Sequence, residues 1–138
     1  MNEWQNAEII NVSNKSDLAL VKIDKTNTKY FDFSNNVKNG ETVYTLGNPN
    51  GLGLSFSSGV VSSNERNILY NDKTITTIQT SLVVNEGNSG GPVFNSSSKL
   101  VGIISFRLKD KYDNVIQGVS FILPVSTIQM FIIESTVE

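Results

Sequence analysis

Residues 87–94 read Gly-Asn-Ser-Gly-Gly-Pro-Val-Phe. A serine flanked by glycines is held in a tight, exposed turn, because glycine permits backbone angles and close approaches that side chains forbid. Such a turn presents Oγ of Ser89 to a substrate. It also aims the N–H groups of Gly87 and Ser89, on either side of Asn88, at one point, as an oxyanion hole requires. Taken alone, the five residues Gly87–Gly91 also fit a glycine-rich surface turn with an inert serine. The chain has 0 histidines, so the usual general base for a reactive serine is missing.

The composition narrows the rest. The 138 residues correspond to one domain, or one domain with part of another. Hydrophobic residues make up 38% and charged residues 17%, enough for a core. The net charge of −2 comes from 11 basic and 13 acidic residues scattered along the chain. No basic run points to nucleic acid or to an anionic membrane surface. With 0 cysteines and 0 histidines, disulfides and thiolate metal sites are excluded and a zinc site has no usual ligands. No cofactor is implied. No apolar run is long enough for a membrane span, and Met-Asn-Glu-Trp-Gln-Asn at the start does not read as a leader.

The hydrophobic pattern predicts an all-β chain. β-branched and alternating residues mark strands over Ala7–Val12, Leu18–Ile23, Thr42–Leu46, Ser55–Ser62, Thr74–Gln79, Leu100–Phe106 and Val115–Ile122. Turn signals separate them at Ser13-Asn14, Asn39-Gly40, Gly47–Gly51, Asn71-Asp72 and Asn95–Ser98. Strands so spaced make a barrel or sandwich. The polar segment Asp24–Asn36 reads as a linker. A short helix is expected after Pro124, with Ser126 as N-cap and Gln129 completing a capping box. The G-x-S-x-G turn of an α/β-hydrolase is a poor reading of Ser89, since that fold needs alternating helices and a downstream histidine.

Five motifs then occur in order: Asp17–Ile23 (Asp-Leu-Ala-Leu-Val-Lys-Ile), Gly47–Gly51 (Gly-Asn-Pro-Asn-Gly), Gly59–Ser62 (Gly-Val-Val-Ser), Gly87–Pro92, and Gly118–Pro124. Together they resemble the chymotrypsin-like serine proteases, and within them the Deg/HtrA branch. The resemblance covers nearly the whole chain. It implies two antiparallel β-barrels with the active site between them, and a His, Asp, Ser order of catalytic residues. Ser89 then matches the nucleophile and Asp17 the orienting acid, with the oxyanion hole at Gly87, Asn88 and Ser89. Ser105, Phe106 and Arg107 would offer main-chain groups to an extended or unfolded polypeptide by strand addition. The primary specificity pocket would be walled by Val83, Val84, Ile104, Gly118, Val119 and Ser120. No acid sits among them, so small to medium aliphatic residues are expected. Leu108–Gln117 would be a loop beside that pocket. The family's location outside the cytoplasmic membrane is implied with the rest.

The chain departs from the family at the histidine, which lies well upstream of the aspartate there; only 16 residues precede Asp17 here. The expectation is a remnant of the N-terminal barrel with a linker over 1–36, and a complete C-terminal barrel with its helix over 37–138. Lys22 and Lys99 are the sequence candidates for a replacement base, but neither points at the serine on the family's strands. Little or no peptidase activity is expected of this chain alone, the alternative being a peptide-binding module that does not cut. Open barrel edges invite self-association.

Overall fold

A computed structural model describes residues 3–48, 51–70, 72–109, 112 and 114–137. Eight strands and one helix follow in order: β1 (Ala7–Ser13), β2 (Leu18–Ile23), β3 (Thr42–Gly47), β4 (Ser55–Tyr70), β5 (Lys73–Thr80), β6 (Pro92–Asn95), β7 (Leu100–Lys109), β8 (Val115–Pro124) and α1 (Val125–Thr136). Strands β1 and β2 form an antiparallel hairpin, and the other six close into an antiparallel barrel in the order β3-β4-β5-β8-β7-β6. The expected chymotrypsin-like barrel with a short C-terminal helix is therefore present. Closure gives every barrel strand two neighbours. Among the described residues, beyond the β1–β2 hairpin, unpaired edges remain where barrel strands outrun their neighbours: β4 beyond Val61 has no β3 partner, β5 before Ile78 no β8 partner, and β7 beyond Ile104 no β6 partner.

The barrel closes because each strand sends alternate apolar residues inward. Val43, Val61, Ile78, Val93, Ile104 and Ile122 meet there at almost zero exposure. A second cluster lies outside the barrel wall. Leu18 and Leu20 of β2 pack with Val125, Ile128 and Phe131 of α1 and with Leu123 of β8. Helix α1 is thus the wedge that fastens the hairpin to the barrel. Asn11 Nδ2 adds a 3.0 Å hydrogen bond to Ser135 Oγ at the far end of the helix. The opposite face of the hairpin stays open, with Ile9 68% and Val21 53% exposed across from each other.

Three local expectations are corrected. The helix starts two residues early: Pro124 is its N-cap in place of Ser126, no side chain caps it, and Ser126 lies in the first turn. Burial of Val125 at 2% exposure draws that residue into the helix and overrides the capping-box signal. Strand β6 was not anticipated, since it is 4 residues long and opens on Pro92; proline is tolerated at a strand's first residue. Strand β4 runs on to Tyr70 through a polar stretch without apolar alternation, held to β5 with register shifts near Ser63.

The polar segment 24–36 forms no regular strand or helix, yet its far half is fastened. The Leu100 N–H donates to Asp32 O at 2.7 Å, and the Ser34 N–H to Leu100 O at 2.8 Å. Phe31 stacks on Phe94 at 5.5 Å, and Phe94 on Tyr44 at 5.8 Å. Pro49 and Asn50 of one expected turn, and Asn71 of another, lie outside the described residues, as do residues 110, 111 and 113 of the expected loop. Among the described residues no helix is long and apolar enough to cross a membrane.

Candidate functional site

The Ser89 turn is built by glycine where the sequence predicted it. Gly87 has φ 95° and Gly90 φ 82°, both in the left-handed region that other residues rarely adopt. The Asn88 N–H donates to Asn85 O at 3.2 Å, and the Gly91 N–H to Asn88 O at 2.9 Å. Among the described residues the Gly87 and Ser89 N–H groups have no acceptor, and the Ser89 hydroxyl has no partner. Ser89 is exposed, whereas Asn88 is turned inward at 4% exposure.

Strand β7 ties this turn to the hairpin. The Gly90 N–H donates to Ile104 O at 2.8 Å, and the Ile104 N–H returns to Gly91 O at 3.0 Å. These two bonds extend the β6–β7 ladder one step into the serine turn. The next residue, Ser105, donates from Oγ to Asp17 Oδ2 at 2.6 Å, joining positions 88 residues apart in the chain. Ser105 sits where the β7–β8 register shifts between Ile104 and Phe106. Such a bulge re-aims a side chain. Asp17 itself sits at φ 54°, a conformation that aspartate tolerates better than most residues. Two consecutive residues of one strand therefore hold the acid on one side and the serine turn on the other.

The remaining expected residues divide by burial. Val84 and Ile104 are in the barrel core cluster, at 3% and 1% exposure. Ser120 is buried, and its Oγ lies 2.5 Å from Thr80 Oγ1. Val83 and Gly118 are exposed, and Val119 is intermediate. Gly118 has φ 79°, which a side chain would resist. Phe106 and Arg107 lie in β7, where their backbones pair with Phe121 and Ser120; their side chains lie outside the described part of the structure. Lys22 and Lys99 are both exposed, Lys99 in the turn before β7.

Two contacts escaped the sequence reading. Ser105 was expected to offer its main chain, but its side chain also holds Asp17. The signal was a lone hydroxyl ending the apolar run Val-Gly-Ile-Ile over residues 101–104. The second is Gly47, at the end of β3, against which the Asn88 side chain rests.

Comparison with known proteins agrees with this geometry. The trypsin-like peptidase domain family matches residues 2–103. Among curated relatives, a "probable periplasmic serine endoprotease DegP-like" of Bartonella henselae is 37% identical over 128 residues, covering 88% of this chain and 24% of its own length. The protein of the same description from Rickettsia prowazekii is 38% identical over 127 residues, again covering 88% of this chain and 24% of its own. The chain thus spans about a quarter of the length of these relatives. Among solved structures, the HtrA-type protease AlgW with decapeptide superposes with a TM-score of 0.81 at 29% identity, over 94% of this chain and 41% of that one. The barrel, the serine turn on it and these likenesses lead to one assignment: the chain belongs to the trypsin-like (chymotrypsin-like) serine proteases, in their Deg/HtrA branch.

Proposed function

We propose that this chain carries the nucleophile side of a Deg/HtrA-type serine endopeptidase. Ser89 is the nucleophile, Asp17 the acid that orients a base, and the Gly87 and Ser89 N–H groups are the oxyanion donors. The observation that carries the reading is the tether through β7: Ser105 on Asp17 at 2.6 Å, with the neighbouring Ile104 bonded to both Gly90 and Gly91. Acyl transfer needs such a spacing to be fixed before substrate arrives.

The substrate in this reading is an extended or unfolded polypeptide, added as a strand along Ser105–Arg107. The first pocket is formed at Val83, Val84, Ile104 and Gly118–Ser120 and favours aliphatic side chains. Residues 1–36 represent the remainder of a first barrel with its linker, and 37–138 the second barrel with its helix. The open apolar face of the hairpin supports self-association. The relatives' description as periplasmic supports a location outside the cytoplasmic membrane.

With 0 histidines among its 138 residues, the chain has no imidazole to take the serine proton. Losing one triad member costs on the order of 10⁴–10⁶ in turnover, leaving what the oxyanion hole and binding supply. By itself the chain therefore cleaves peptides little or not at all. The same absence favours a second reading, a module that grips extended peptides without cutting them.

Intact-mass analysis after exposure to a fluorophosphonate tests the reading, with Ser89→Ala as control. The expected result is slow addition of a single probe, abolished by Ser89→Ala, while cleavage of an unfolded protein stays at background. No addition to a folded sample would overturn the assembled nucleophile. Cleavage above background that vanishes in Ser89→Ala would overturn the claim that the chain needs an imidazole.

A further inference from the structure

We propose that Gly47 is a positioning residue for the Ser89 turn: the Asn88 side chain occupies the space of a residue-47 Cβ, so the end of β3 sets the backbone of Gly87 and Ser89. The inference rests on the reading of Ser89 as nucleophile only for its functional meaning. A Cβ built on Gly47 would lie 2.0 Å from Asn88 Oδ1 and 2.7 Å from Asn88 Cγ. Real Cβ atoms do not come so near, and the obstacle is a buried amide, not the free end of a flexible chain.

Glycine is required here for space and not for backbone conformation, since Gly47 has no positive φ and pairs regularly with Ser55. Its methylene is the surface on which the Asn88 amide rests. Asn88 Oδ1 is buried with no conventional donor among the described residues. A Cα–H group beside a carbonyl oxygen is the weak partner that such packing provides.

Asn88 cannot adjust by itself. Its N–H is bonded to Asn85 O and its carbonyl to the Gly91 N–H. A Cβ on Gly91 would meet Asn88 O at 2.8 Å and Leu46 O at 3.3 Å, so the turn touches β3 at a second point. Displacing the Asn88 side chain therefore drags the peptide units on both sides of it: the one after it carries the Ser89 N–H, and the one before it begins at Gly87, whose own N–H lies one unit further back. Gly47, where the sequence Gly-Asn-Pro-Asn-Gly begins, is in this way connected mechanically to the serine.

A cycle of Gly47→Ala, Asn88→Gly and the double variant tests this, in 15N-labelled full chain. The readouts are the backbone amide resonances of Gly87, Ser89 and Gly90, and the rate of fluorophosphonate addition. Gly47→Ala is expected to shift the three resonances and slow probe addition at least tenfold. In the Asn88→Gly background the same substitution is expected to change either readout less than twofold. Resonances that stay in place on Gly47→Ala, or that move equally in both backgrounds, overturn the proposal. If Gly47→Ala alone does not fold, recovery of folding in the double variant supports it and a double variant equally unfolded overturns it. The resonances are read without any reaction. A chain that never takes up the probe but obeys the cycle keeps Gly47 as a positioning residue and removes Ser89 as the nucleophile.

Discussion

Replacing Ser105 by alanine removes one hydrogen bond and takes nothing from the barrel core. The bond runs from Ser105 Oγ to Asp17 Oδ2 at 2.6 Å. A hydrogen bond to a charged group contributes about 1.5–3 kcal/mol when sheltered, and less where water can take its place. Asp17 is exposed, so the expected cost of Ser105→Ala is about 1 kcal/mol, or roughly 4 °C in Tm for a chain of this size. The backbone at Asp17 separates this bond from other effects. At φ 54° an alanine is strained by roughly 1 kcal/mol while a glycine is not. Asp17→Ala should therefore cost about 2 kcal/mol, losing the bond and adding strain. Asp17→Gly should cost about 1 kcal/mol, losing the bond without adding strain. In the Asp17→Gly background Ser105→Ala should then cost nothing, giving a coupling of about 1 kcal/mol. Urea unfolding followed by circular dichroism measures all four chains. Additive effects, with coupling below about 0.3 kcal/mol, would refute the contact as the tether between β7 and the hairpin.

Further outcomes follow from packing. Leu82→Ala, at 1% exposure in the barrel core, should destabilise by about 2–5 kcal/mol with an unchanged urea m-value; a loss under about 1 kcal/mol would contradict the packed core. Gly102→Ala would place a Cβ 2.3 Å from Leu123 O and 3.0 Å from Ile122 Cδ1, so β7 must move from β8 at about 1–3 kcal/mol. Hydrogen exchange at the Gly90 N–H, bonded to Ile104 two residues on, should then speed up; unchanged exchange would show that the tether is not rigid. Ile9→Lys with Val21→Glu puts an ion pair on the open hairpin face, where both residues are exposed and opposed. Sedimentation velocity should show less self-association at unchanged Tm, and an unaltered distribution in an associating sample would remove that face as the contact.

What the sequence disclosed, and what it hid, divides along the range of the forces involved. The strand Leu18–Ile23 was legible to the residue because it is a short run rich in apolar residues bounded by Asp17 and Asp24, and its Leu18 and Leu20 pack on α1. The polar half of β4 was not legible, since its hydrogen bonds to β5 carry no side-chain pattern. Strand β6 hid behind Pro92, although Val93 is fully buried. The start of α1 was displaced by the burial of Val125, a tertiary effect stronger than a local cap. At the site, Gly87 and Gly90 could be read because their backbone angles demand glycine. The partners of Asp17 and Asn88 could not. Ser105 and Gly47 lie 88 and 41 positions away, and only the closed barrel brings them there.

The placement of Ile104 and Ser105 on one strand has a mechanical consequence. Successive residues of a strand face opposite ways. Ile104 sends its side chain into the core, at 1% exposure, while both its backbone groups bind the serine turn. Ser105 sends its hydroxyl the other way, to Asp17. To move the serine turn together with its strand, Ile104 must leave a core that also holds Val43, Val93 and Ile122. The serine end of this link is anchored by barrel packing, and the Asp17 end by the Ser105 hydroxyl. In the proposed reading, preorganisation of this kind comes from the fold and does not call on an imidazole. Probe addition at Ser89 and cleavage of a peptide are accordingly two different measurements here: the first reads whether β7 has assembled the turn, the second whether a base has been brought to it.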